Sequence, residues 1–189
     1  MVYGCNAIYR EEEIANKLSG IIAIDDGIIN EIRKSPFASK LIVPPEDERW
    51  EPAECNPNRP RSNAGMSAMR YCRQAHPCAG YLFCIGFDFL LTDIAQSTGN
   101  IYDGTVNYGP ETRCHPADYP NRFRYLEWIM RQYPETLFVF GFPAGREAYS
   151  SEASNFMLMS FDKIYEFLDT EQKYVDIYER KKALSTRRS

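Results

Sequence analysis

The sequence predicts an α/β domain, a Rossmann-like three-layer sandwich around a mainly parallel central sheet. Three observations carry that prediction. Short apolar runs alternate with segments of helical period along most of the chain, the pattern of βαβ units whose strands run parallel. The runs stop at Gly, Asn, Asp or Pro, residues that turn the backbone. The 189 residues, 44% hydrophobic and 25% charged, suit one globular domain with a full core. The expected organisation is a single domain over 1–170 and a polar, basic extension over 171–189.

Taken in order, a first strand near 2–4 runs into Gly4-Cys5-Asn6-Ala7, a strand-to-loop signal. Residues 9–18 carry apolar positions at helical spacing, with Glu11, Glu12 and Glu13 near the start, where negative charge favours a helix. Ile21-Ile22-Ala23-Ile24 reads as a buried strand ending in Asp25-Asp26-Gly27, and a short helix follows over 28–34. Leu41-Ile42-Val43 is a third strand, stopped by Pro44-Pro45. The segment 46–61 is Pro-rich and charged, an ordered loop or lid. Ser62 then reads as the N-cap of a helix over 63–75. The run Tyr81 to Phe89 is the strongest strand signal, with the strand itself expected over 81–87. A long polar loop over 91–118 follows, of the kind that carries function inside a compact domain. A helix over 121–132, a last strand over 137–140 and a helix over 152–168 complete the prediction.

Composition excludes several classes. Net charge is −4 and the pI is near 5.3, without the basic footprint of a nucleic-acid binder. Arg180, Lys181, Lys182, Arg187 and Arg188 cluster at the end, either as a contact for an acidic partner or an assembly, or as a solvated terminus. No charged segment followed by an apolar stretch opens the chain and no apolar run is long enough for a membrane span, so a cytoplasmic protein is expected. The six cysteines then read as reduced thiols. Cys72, His76 and Cys78, with Cys114 and His115, offer zinc-type ligands, but C-x-x-x-H-x-C matches no common zinc spacing, and no metal is expected.

Three features fall at strand ends, where open α/β sheets bind ligands. Gly4, Cys5 and Asn6 follow the first strand. Glycine lets backbone approach a phosphate or ribose, and Asn6 can hydrogen-bond a base or sugar; a full G-x-G-x-x-G fingerprint is absent. Asp25 stands where a ribose-binding acid would stand in a dinucleotide fold, or simply makes a turn. Ser62, Asn63 and Gly65 open a helix whose N–H groups and dipole suit an anion, with plain capping as the other reading. Gly86 and Asp88 end the strongest strand, and the loop behind them holds Tyr102, Tyr108, His115 and Asp118.

These features, in this order, resemble the bacterial sialyltransferase-like glycosyltransferases with a Rossmann-like nucleotide domain, and more distantly the hydroxymethylpterin pyrophosphokinase-like domains. The resemblance rests on Gly4-Cys5-Asn6-Ala7, Ser62-Asn63-Ala64-Gly65, Gly86-Phe87-Asp88-Phe89, the paired tyrosines, and a His before a helix containing Leu126-Glu127-Trp128. It covers about residues 2–143, in a chain shorter than the enzymes and with one glycine in the first turn. It implies that the first two elements cradle a nucleotide, CMP-linked in those enzymes. It further implies that Tyr102 and Tyr108 steady the leaving phosphate and that His115, with Asp118 nearby, is the general base on the acceptor hydroxyl. Such a reaction needs a nucleotide sugar as substrate and no further cofactor. The chain also resembles uncharacterised proteins of tailed phages, which implies the host cytoplasm or a virion. The alternatives are a nucleotide-binding module without turnover and a structural or interaction protein, for example a phage particle component.

Overall fold

The structure is a computed structural model that describes residues 1–92, 101–109 and 119–171. Among the described residues six strands form two small sheets, all paired in parallel. The first holds β1 (Tyr3–Cys5), β2 (Gly20–Ile22) and β3 (Leu41–Ile42) in that order, with Gly4 opposite Ile21 and Ile21 opposite Leu41. The second holds β4 (Tyr81–Ile85), β5 (Leu137–Phe142) and β6 (Phe156–Ser160), with Phe83 opposite Val139 and Val139 opposite Met157. The crossover helices are α1 (Glu12–Lys17), α2 (Asp26–Arg33), α3 (Ala64–Ala75) and α4 (Tyr119–Gln132), and helical backbone over 161–171, here α5, follows β6. No helix among the described residues is long and apolar enough to cross a membrane.

The local chemistry explains most of these elements. β2 is buried at all three positions, as a central parallel strand must be. In α2 the buried face is Ile28, Ile29 and Ile32, with Asp26 in the first turn. The predicted cap of α3 is corrected by one residue. Asn63 caps it, its side chain accepting from the Gly65 N–H at 2.7 Å, while Ser62 is buried and takes a hydrogen bond from the Ser67 hydroxyl at 3.3 Å. The Pro-rich segment is ordered by a short 3-10 turn at Glu46–Arg49, an antiparallel bridge between Trp50 and Arg61, and the Arg61 guanidinium 4.8 Å from the Trp50 ring.

Three expectations fail for identifiable reasons. The helix expected over 9–18 is a 3-10 turn at Asn6–Arg10 followed by the short α1, because the chain leaves β1 through Asn6 at φ 49 and breaks again at Glu11, with φ −89 and ψ 82. β4 ends at Ile85 because Gly86, at φ 84, turns the chain into a 3-10 turn at Asp88–Leu90. Residues 156–160, expected inside a helix, are the sixth strand, paired along its whole length with β5. Met and Leu favour helices locally, and the open edge of β5 overrides that preference.

Two apolar clusters hold the halves. One joins Met66 and Met69 of α3 and Tyr125, Leu126, Ile129 and Met130 of α4 to Phe138, Phe140 and Phe142 of β5. The opposite face of β5 meets α5: a Cβ at Gly141 would lie 2.7 Å from Ile164 Cδ1 and 3.2 Å from the Phe161 ring. The other cluster gathers Ala7, Ile21, Ile28, Ile32 and Tyr108 around the first sheet.

Candidate functional site

β1 and β4 each stand at one edge of their sheet and are not hydrogen-bonded to each other. A cleft of about 260 Å³ opens at their C-terminal ends. Its walls come from chain-distant segments: Cys5-Asn6-Ala7 after β1, Asn63-Ala64-Gly65 at the start of α3, Ile85 to Phe89 after β4, and Tyr102 and Tyr108. Eight of the residues singled out in the sequence therefore meet: Cys5, Asn6, Asn63, Gly65, Gly86, Asp88, Tyr102 and Tyr108.

Three others that are described, Gly4, Ser62 and Asp25, do not line it. Gly4 is a packing position, since a Cβ there would meet Ile8 at 2.5 Å and Leu18 at 2.6 Å. Ser62 points into the interior beside Ser67. Asp25 does not line the cleft and stands 3.8 Å from Arg61. Burial pushes its carboxyl up, partly offset by Arg61. His115 and Asp118 lie outside the described residues, as do Cys114 and the basic C-terminal cluster. His76 is engaged by the Tyr3 hydroxyl at 2.7 Å, and no trio of His, Cys, Asp or Glu among the described residues could hold a metal.

Asn6 is the most unusual residue in the wall. Its backbone is left-handed and its Oδ1 is buried without a hydrogen-bond partner. Such a group in a native structure calls for a cause. Tyr108 stands over it, its hydroxyl accepting from the Ala7 N–H at 3.3 Å. Burial raises the Tyr108 pKa, and the Ala7 N–H and Arg10 oppose that rise. Burial also pushes Tyr102 up to about 12, helped by Glu11, so both phenols are hydrogen-bonding groups and not bases near neutral pH. Cys5 is likewise pushed up to about 12 by burial, which makes it a lining thiol and not a nucleophile. Asp88 is exposed and is the one charged side chain among the described residues that line the cleft.

Sequence reasoning missed the device that holds the two tyrosines. Arg10 donates from Nε and Nη2 to Glu31 Oε1 at 3.0 and 2.7 Å, from Nη1 to Thr105 Oγ1 at 2.6 Å, and from Nη2 to the Val106 carbonyl at 2.9 Å. Its guanidinium lies 5.5 Å from the Tyr102 ring centroid and 5.6 Å from that of Tyr108. Asn107 donates to the other Glu31 oxygen at 2.8 Å. Gly27 leaves room for Asn107, whose Oδ1 would lie 2.2 Å from a Cβ there. Segment 101–109 is thus clamped onto α2. Phe87 and Phe89, also missed, supply the apolar side of the cleft. No family model, no curated protein and no solved structure matches the chain.

Proposed function

We propose that the cleft binds a nucleotide or nucleotide sugar on a Rossmann-like core. One observation carries this reading: three segments distant in the chain, each at a strand end or a helix start, line one cavity. Read edge to edge across the unpaired β1 and β4, the two sheets run β3-β2-β1 and β4-β5-β6. In doubly wound folds of that order, ligands sit where the strand order reverses, outside the carboxyl ends of the strands. The chemistry of the wall supports the same ligand. Aromatic rings suit a base, asparagine and tyrosine suit ribose and phosphate oxygens, and the α3 N-terminus favours an anion.

The transfer step follows from the resemblance in sequence. Sugar passes from the nucleotide to an acceptor hydroxyl, His115 takes the hydroxyl proton with Asp118 beside it, and Tyr102 and Tyr108 donate to the departing phosphate. The experiment is a thermal-shift screen against nucleotides and nucleotide sugars, followed by a turnover assay on any nucleotide sugar that stabilises the protein. A shift with turnover that His115→Ala abolishes supports transfer. A shift without turnover leaves a binding module. No shift with any nucleotide removes the reading and favours a structural or interaction role.

A further inference from the structure

We infer that the outer edge of β6 is an interface between two copies of this chain, which pair antiparallel through Phe156–Ser160 about a twofold axis at Leu158. The hydrogen bonds of the second sheet set which groups that edge offers. The Phe138 N–H donates to the Asn155 carbonyl at 2.9 Å, and Phe138 stands opposite Phe156 in the parallel register. Along a strand the N–H and C=O of one residue point the same way and successive residues alternate, so Asn155, Met157 and Met159 turn theirs to β5. The Leu137 N–H, bonded to the Gly80 carbonyl at 2.8 Å on the β4 side, keeps the same alternation in β5. Phe156, Leu158 and Ser160 therefore turn their groups outward, and among the described residues no strand pairs with them. The Phe156 N–H is taken by the Ala153 carbonyl at 3.1 Å. The Leu158 N–H and carbonyl, the Phe156 carbonyl and the Ser160 N–H are left to the open edge.

An antiparallel copy of the same strand fits these groups. With Leu158 opposite Leu158 of the second copy, the two residues exchange both backbone bonds, and each Ser160 N–H meets the Phe156 carbonyl of the other copy. The pattern is self-complementary, as a twofold interface requires. Free strand edges are ordinarily blunted by shortness, charge, proline or a bulge. β3, the far edge of the first sheet, is two residues long, with Lys40 before it and Pro44-Pro45 close behind. β6 is five residues long, in unbroken register with β5, and carries no charge and no proline. Its Met157 and Leu158 are 38% and 39% exposed. Pairing about Leu158 sets the two leucines side by side on the face shared with Phe140, and Met157 against Met159 of the other copy on the opposite face. α5 widens the patch. Phe161 packs at Gly141 near the end of β5, and the Phe167 ring lies 5.3 Å from that of Tyr81 at the start of β4, so α5 runs back over the sheet towards β4. At about 100° per residue, Tyr165 and Leu168 fall on the flank of α5 away from Phe167, the β6 side. They too are exposed. A short edge alone falls below the roughly 1,200 Å² of a stable interface, and these apolar side chains are what extend it.

The test is sedimentation equilibrium on the full chain, with hydrogen exchange read residue by residue by NMR. The wild type should sediment as two chains at the concentration of the NMR sample and shift towards one on dilution. Leu158→Pro removes the central outward N–H and no bond to β5, so it should keep its fold by circular dichroism and sediment as one chain. Leu158→Lys puts charge on the edge and should do the same, and it carries the comparison where the proline variant fails to fold. The Ser160 amide should exchange about tenfold or more slowly in the wild type than in Leu158→Lys, while the Met157 and Met159 amides, bonded to β5, stay slow in both. A single chain at every concentration overturns the inference. In that case slow Leu158 and Ser160 amides place a segment of the same chain, such as 172–189, on the edge, and fast ones leave the edge open. Two chains that persist in the variants overturn the placement at β6.

Discussion

Replacing Arg10 by alanine tests whether segment 101–109 is held by the Arg10–Glu31 clamp. The substitution removes two hydrogen bonds to Glu31 and one each to the Tyr9 hydroxyl, Thr105 and the Val106 carbonyl, together with the guanidinium set among three tyrosine rings. Hydrogen bonds to charged groups contribute about 1.5–3 kcal/mol each when buried. Here the Arg10 and Glu31 side chains are 19% and 31% exposed, and Glu31 keeps the bond from Asn107, so the five act as a partly screened unit. The expected loss is about 2–3 kcal/mol, which for a domain of this size lowers Tm by roughly 4–12 °C. Urea unfolding followed by circular dichroism measures it, and limited proteolysis should find new cleavage within 101–109 before global unfolding. The pH dependence has a definite sign. Burial raises the Glu31 pKa, but bonds from Tyr9, Arg10 and Asn107 outweigh burial and leave it below its ordinary 4.5. A carboxyl lowered on folding stabilises above its unfolded pKa and loses that contribution as pH falls through the folded one. The gap between wild type and Arg10→Ala should therefore narrow below pH 4.5. A variant within about 0.5 kcal/mol of the wild type, with unchanged cleavage, would refute the clamp.

Two further outcomes follow from the same coordinates. Asn155 is buried, and its amide donates to the carbonyls of Met130, Tyr133 and Thr136 at 3.0, 3.1 and 3.1 Å, sealing the end of α4 against β6. Asn155→Ala should cost about 1–3 kcal/mol in urea unfolding by leaving those acceptors without their donor, and a neutral result would mean that water replaces it. Among the described cysteines, burial pushes Cys5 to about 12, Cys72 to about 11 and Cys84 well above its ordinary value, while Cys78 is exposed. Mass spectrometry after brief alkylation near neutral pH should therefore find Cys78 modified ahead of those three, and early labelling of Cys5 would contradict the packing around β1.

What could be read in advance divides along a physical line. β2, β3, β4 and β5 were legible because each is a short aliphatic or aromatic run bounded by glycine, proline or acids. β6 was not. Phe156-Met157-Leu158-Met159-Ser160 joins without a break to charged residues of helical period, and only the edge of β5 makes it a strand. The strand-end rule found Asn6, Asn63, Gly86 and Asp88, because a parallel sheet with crossovers sends those positions to one side. It placed Gly4 and Ser62 with them for the same reason, but nothing local distinguishes a glycine that admits a ligand from one that admits Ile8 and Leu18. Arg10, Glu31 and Asn107 carry no local signature at all. Arg10 and Glu31 are 21 residues apart, and Glu31 and Asn107 are 76 apart.

The seam between β1 and β4 has a consequence for how the molecule transmits force. Among the described residues no ladder crosses it, and α3, which packs on β1 and β2 and gives Met66 and Met69 to the other core, is the element that joins the halves. A molecule seated in the cleft touches the ends of both strands and becomes the missing rung. Its binding free energy then appears as coupling, and amides of β2, which the occupant never touches, would exchange with solvent more slowly when the cleft is filled. A ligand held in the cleft would thus bridge a seam that carries no backbone hydrogen bonds among the described residues.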